Sequence, residues 1–291
     1  MVIVLENDIL RAQIKSRGAE LISLRCGGTE RIWCGDPAVW ERQSPVLFPF
    51  IGRLMNEQYE LNGQLIHAEI HGFCRDAEFT AQQVSPVCAR FTLTQSEETR
   101  KVFPFDFRFE IEYELAGDTL YKRHTVTNLS DAVMPFEIGG HEAYSTEILP
   151  GETAADYAVR FYGTDAVEPF GMEEGSGMLT LPKSRIPLQD GLLTKLPGDV
   201  GLDTIVLEGL PQRRAMLIGL KSGLGTEVCF DDFPYLGVWT MTAENARYIC
   251  IEPWTALPDG HFVTRNIFER PGILTLQPGC SGTWSYTQRY F

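Results

Sequence analysis

The chain has 291 residues, 44% of them hydrophobic, and a formal charge of −14 at pH 7. That length supports a large buried core, while the surplus of acid opposes any general affinity for nucleic acid or anionic lipid, which both depend on basic surface. The partner this implies is small, either neutral or anionic and held by a local basic pocket.

No stretch approaches the ~20 apolar residues of a membrane span. The opening run Met1-Val2-Ile3-Val4-Leu5 is broken by Glu6 too early for a signal peptide, so the expected location is the cytoplasm. Seven cysteines show no paired CxxC spacing, and disulfides are not expected. Gly and Pro are spread along the whole length with no linker or repeat. One domain over residues 1–291 is expected, as a monomer or homodimer.

In chain order, β-like runs fall at residues 2–5, 10–15, 20–25, 91–95, 107–115, 121–128, 202–207, 215–220, 227–230, 247–252 and 273–276, with turn residues between them. Asn62-Gly63, Gly117-Asp118 and Pro278-Gly279 supply such turns. Helical periodicity is scarce. Only Pro37-Ala38-Val39-Trp40-Glu41 suggests a helical turn, with Asp36 as its cap. Many short strands with turns between them predict an all-β, mainly antiparallel sandwich or barrel. The Gly-rich, acidic stretch 150–197 is expected to form long loops over one mouth of the fold.

Residues 45–53 (PVLFPFIGR) are apolar until Arg53, whose guanidinium is either a rim group in water or the partner of an acid or an anionic ligand. His71 sits beside Gly72, a side chain light enough to let a ligand approach. His67, His71 and Cys74 lack a fourth metal ligand at a sensible spacing. His141 follows Gly139-Gly140, which open space around it or let the chain bend. Asp203 heads a strand, where a turn aspartate is the simpler explanation. Tyr235, Gly237 and Trp239 share a face by alternation, either as aromatic core or as a platform for a sugar ring.

The strand Tyr248-Ile249-Cys250-Ile251-Glu252-Pro253-Trp254 sets one carboxylate into an apolar run. Alternation puts Cys250, Glu252 and Trp254 on one face. Glu252 is therefore either one half of a structural ion pair or a base made stronger by lost hydration. Dinucleotide, Walker, GxSxG, zinc-finger and EF-hand patterns are all missing. Two histidines beside glycines, two carboxylates on apolar strands, an arginine and aromatics remain. They suffice for acid and base catalysis without a cofactor.

In this order, PVLFPFIGR, Asn62-Gly63, His71-Gly72-Phe73-Cys74-Arg75, Gly140-His141, Leu202-Asp203-Thr204, Phe233 to Trp239 (FPYLGVW) and Tyr248 to Trp254 (YICIEPW) resemble the aldose 1-epimerase (galactose mutarotase) family, nearest its LacX-like branch. The resemblance implies a galactose-mutarotase-like β supersandwich in one domain and no cofactor or metal, and the surplus of negative charge, which would repel a phosphate, favours a free aldose as substrate. The resemblance matches Glu252 to the general base, His141 to the general acid and His71 to a second active-site histidine. Arg53 and Asp203 match residues that hold the sugar. Arg75 and Trp239 are further candidates for substrate contact. A hexose 6-phosphate as substrate, held by Arg53 and Arg75, and a noncatalytic carbohydrate-binding protein are the alternatives.

Overall fold

The computed structural model describes residues 1–291 apart from Pro182 and Glu244. Every registered strand pair is antiparallel. The largest sheet has nine strands, and Phe107–Ala116, Thr119–Asn128 and Ser281–Tyr290 lie side by side within it. Phe107–Ala116 shows why strands form here. Phe107, Phe109, Ile111, Tyr113 and Leu115 alternate with charged residues, so one face is buried and the other meets water. Across the ladder Arg123 donates to Glu112 at 2.7 Å and to Glu114 at 2.8 Å, which favours this register.

A four-stranded sheet is built from Val2–Glu6, Leu10–Lys15, Glu20–Cys26 and Thr29–Glu30. A six-stranded sheet has the order Thr204–Glu208, Tyr235–Trp239, Tyr248–Trp254, Gly139–Gly140, Val46–Leu47, with Glu142–Ser145 also paired to Tyr248–Trp254. All seven residues of Tyr248–Trp254 are buried. Ile249 and Ile251 join the main hydrophobic core, while Cys250 and Trp254 belong to smaller clusters. A strand covered on both faces reads as the continuous apolar run seen in the sequence.

Asn62 and Gly63 both take positive φ (52° and 79°) and join Gln58–Leu61 to Gln64–His67, as an Asn-Gly hairpin requires. The helical turn expected after Asp36 is only a turn. The Asp36 carboxylate accepts from the Ala38 N–H at 2.9 Å and its carbonyl from the Trp40 N–H at 2.8 Å, but Trp40 then turns to stack on His141 and Tyr248. The one α-helix among the described residues is Glu97–Val102, which sequence reading missed. Ser96 accepts from the Thr99 N–H and gives its own N–H to Thr99 Oγ1, a reciprocal cap.

The stretch 150–197 is more structured than expected. It contributes Tyr157–Phe161 and Leu192–Leu193 to the large sheet and folds two small ribbons, one of them Gly171–Met172 with Leu179–Thr180. No helix of the described residues is long and apolar enough to cross a membrane, and all seven cysteines are free.

Candidate active site

A cavity of about 800 Å³ gathers Arg53, His71, Arg75, His141, Asp203, Trp239 and Glu252, residues spread over two hundred positions of the chain. Trp40, Arg42, Trp254 and the ribbon residues Met172, Glu173 and Glu174 also line it.

Glu252 is placed by its strand. Gly237 lies opposite it on one neighbour, and Gly139 lies opposite Trp254 on the other. A Cβ on Gly237 would stand 2.6 Å from the Trp254 ring, and one on Gly139 would stand 2.8 Å from it. The space beside Gly237 is therefore filled by the Trp254 indole, which at this position favours the aromatic-core alternative over a sugar platform. Trp239 lines the cavity itself, edge-on to His141 with ring centroids 5.5 Å apart.

Glu252 is 1% exposed, and neither carboxylate oxygen has a hydrogen bond among the described residues. No Lys or Arg pairs with it among those residues. The basic atom in reach is His141 Nε2, 3.3 Å from Oε2. Burial raises the Glu252 pKa well above the ordinary carboxylate range, and the charges of Glu142 and Asp203 add to this. The structural ion pair left open by the sequence is thus not what holds this side chain.

His141 is stacked on Trp40 at 5.2 Å and meets His71 edge-on at 5.4 Å. Burial pushes its pKa down to about 3, helped by Arg75 and Arg42 and opposed by its own backbone carbonyl. The glycine before it serves the buried side rather than a ligand. A Cβ on Gly140 would collide with the Tyr286 hydroxyl, which donates to Glu142 at 2.6 Å. Glu142 in turn is paired at 2.7 Å with Lys122, both fully buried.

His71 has a left-handed backbone (φ 65°) and is tied to Gly52 twice. Its N–H donates to the Gly52 carbonyl at 2.9 Å, and its Nδ1 accepts from the Gly52 N–H at 3.0 Å. An accepting Nδ1 leaves the ring proton of the neutral form on Nε2. Burial lowers the His71 pKa well below the usual value, with contributions from His141, Arg75, Arg42 and Arg53. Gly72 also differs from its sequence reading, because the space beside it belongs to the Phe48 carbonyl that a Cβ would strike, and not to a ligand.

The loop carrying Gly52 and Arg53 is held from beneath. The Ile51 N–H donates to Glu137 at 2.7 Å and the Met55 N–H to Asp259 at 2.6 Å. Arg270, buried between those carboxylates, bonds Glu137 at 2.6 Å and Asp259 as well. Sequence reading found none of these three: Glu137 lies 133 residues from Arg270, and Asp259, although only eleven residues from Arg270, reaches back to Met55. Above this brace the Arg53 side chain is exposed, with no hydrogen bond or ion pair among the described residues. Arg75 lies 3.7 Å from Asp76, which also receives Arg42 at 3.0 Å and Arg17 at 3.2 Å. Arg42 was missed because it lies in an irregular segment without periodicity. Asp203 is exposed just before Thr204–Glu208, and Thr204 pairs with Trp239.

His67 is exposed near Glu57 and Cys74 is buried, and they do not converge with His71.

Fold and cavity together define a class: an antiparallel β supersandwich whose central buried strand presents a carboxylate to an imidazole in a cleft. The chain belongs to the aldose 1-epimerase family, whose sequence model, Aldose 1-epimerase, matches residues 1–290. It is 31% identical over 299 residues to the chromosomal Protein LacX of Lactococcus lactis subsp. lactis, with 98% of each chain covered. The crystal structure of a galactose mutarotase related enzyme from Lactobacillus acidophilus is similar at a TM-score of 0.93 and 29% identity, covering 100% of this chain and 97% of that one. A galactose mutarotase-like protein from Lactobacillus casei ATCC 334 is similar at a TM-score of 0.87 and 28% identity, with 100% of both chains covered. Members of the family are isomerases.

Proposed function

We propose that this chain interconverts the α and β anomers of a free aldohexose by acid and base catalysis, without a cofactor. The observation that carries this reading is the unpaired Glu252 carboxylate 3.3 Å from His141 Nε2 at the cavity wall. Two groups so close can serve the C1 hydroxyl and the ring oxygen, which share one carbon.

Glu252 and His141 act as one unit holding a single proton. Burial favours the uncharged arrangement, with the proton on Glu252 and His141 neutral. Hydrogen bonds from the sugar favour the ion-paired arrangement, in which Glu252 is the base and His141 the acid. Glu252 takes the C1 hydroxyl proton, His141 gives its proton to the ring oxygen, and the bond from C1 to that oxygen breaks. The aldehyde turns about C1–C2 and closes on its other face, with the two proton transfers reversed. His71, its Nε2–H free, donates to the sugar, and Arg53 and Asp203 hold its hydroxyls, while Arg75 and Trp239 border the ring. The protein works on this small molecule in the cytoplasm, as a monomer or homodimer, without nucleic acid or membrane partners.

A second reading, a hexose 6-phosphate as substrate, is favoured by the three guanidiniums of Arg42, Arg53 and Arg75 at one cavity. The acids Glu173, Glu174 and Asp203 on the same cavity weigh against it. Polarimetric rates on galactose, glucose and glucose 6-phosphate separate the two. The proposal expects the highest kcat/KM on a free aldose. A higher value on the phosphate selects the second reading, and no acceleration on any of them refutes both.

A further inference from the structure

Among the described residues, His141, Cys250 and Glu252 are the group of three potential ligands whose donor atoms all lie within 4.8 Å of one another, and all three are buried. We propose that they form a binding site for a soft divalent cation, with zinc as its probe, and that the bound ion competes with the sugar.

The geometry supports three protein ligands and one open position. Cys250 and Glu252 are two residues apart on one strand, so both project to the side on which His141 lies. With zinc–nitrogen and zinc–oxygen bonds of about 2.0–2.1 Å, the 3.3 Å between His141 Nε2 and Glu252 Oε2 subtends about 107° at the metal, close to tetrahedral. A zinc–sulfur bond of about 2.3 Å places a tetrahedral sulfur about 3.6 Å from each partner, so a sulfur within 4.8 Å needs to move by only about 1 Å. His141 and Glu252 line the cavity whereas Cys250 does not, which turns the fourth position toward the sugar site.

The electrostatics are mixed. Asp203 puts negative charge near Glu252 and favours a dication, Glu142 is already paired with Lys122, and Arg42 and Arg75 near His141 oppose the ion. The Glu252 oxygens have no hydrogen bond to give up. Binding displaces the thiol proton of Cys250 and the proton shared by Glu252 and His141. The ion then occupies the lone pairs that proton transfer requires.

The test uses the full chain, stripped of metal, as wild type, Cys250→Ser and Cys250→Ala. Zinc binding is measured by equilibrium dialysis with and without sugar, and cobalt(II) serves as a spectroscopic probe. The expected result is one ion per chain, displaced by sugar, with a thiolate-to-cobalt charge-transfer band in the wild type alone. Zinc affinity falls about tenfold or more in both variants, whose basal rates persist. Equal zinc affinity in the variants, no thiolate band, or ions held only at the exposed Cys34 or Cys280 would overturn the proposal. If neither variant folds, the wild-type cobalt spectrum and its displacement by sugar decide. Competition rests on the mutarotase reading and the cobalt spectrum does not, so a chain that binds the ion without turning over sugar counts against the enzyme reading alone.

Discussion

Replacing Glu252 by Gln keeps the shape of the side chain and removes its basicity. The structure says what else changes: very little, because neither oxygen holds a hydrogen bond and no Lys or Arg is left unpaired among the described residues. The loss should therefore appear in the rate and not in the fold. General base catalysis typically contributes ~10²–10⁴, so kcat is expected to fall at least about a hundredfold, or ~2.7 kcal/mol in the barrier. Stability should move the other way. Burial raises the folded-state pKa of Glu252 above its unfolded value. The wild type is then most stable below the unfolded pKa and loses stability as pH rises toward the folded one, because the unfolded carboxyl gives up its proton first. Gln carries no such penalty, and the margin by which Glu252→Gln melts above the wild type should grow from pH 4 to pH 7. Polarimetric relaxation of freshly dissolved α-glucose and thermal melts at several pH values provide the two readings. A folded variant losing less than about tenfold in kcat would refute the assignment of the base.

His141→Ala should also lower kcat by at least about a hundredfold in the same polarimetric assay, with a loss below tenfold contradicting its role as acid. The pH profile of kcat/KM should decline on the alkaline side as the Glu252 and His141 pair loses its one proton, at an apparent pKa above the ordinary carboxylate range. Activity that instead rises with pH through that range would make the proton-free pair the working form. Arg270→Met strands two buried carboxylates, Glu137 and Asp259, at a cost of about 3–5 kcal/mol, or on the order of 10 °C in Tm by circular dichroism. An unchanged melt would mean that the loop carrying Gly52 and Arg53 is held by something other than this brace.

Long alternating strands were legible because their period is a local property. In residues 107–116 every second residue is apolar, and the strand found there is Phe107–Ala116. Thr119–Asn128 is harder to read, because Lys122 and His124 occupy buried positions in its alternation, and the partner of Lys122, Glu142, lies on another strand. Two-residue strands such as Val46–Leu47 and Gly139–Gly140 carry no periodic signal and exist only through their pairing with each other and with Trp254. At the site, Glu252 was visible as a charge within an apolar run, and His71 and His141 through their glycines. Yet those glycines make room for the Phe48 carbonyl and the Tyr286 hydroxyl rather than for a ligand. The roles of Glu252, His141 and His71 came from family resemblance, since single residues do not state which protons they move. Arg42 and the Glu137, Arg270 and Asp259 brace depend on contacts between distant segments, which spacing along the chain does not encode.

In the proposed reaction one sugar ring meets Glu252 and His141 together and leaves with its anomeric carbon inverted. Saturation transfer between the α and β anomeric protons, recorded at equilibrium on glucose and galactose, observes that exchange directly. Transfer should scale with the concentration of the wild-type chain and collapse in Glu252→Gln. Transfer no faster than in buffer alone, for every aldose and aldose 6-phosphate offered, would contradict that reaction.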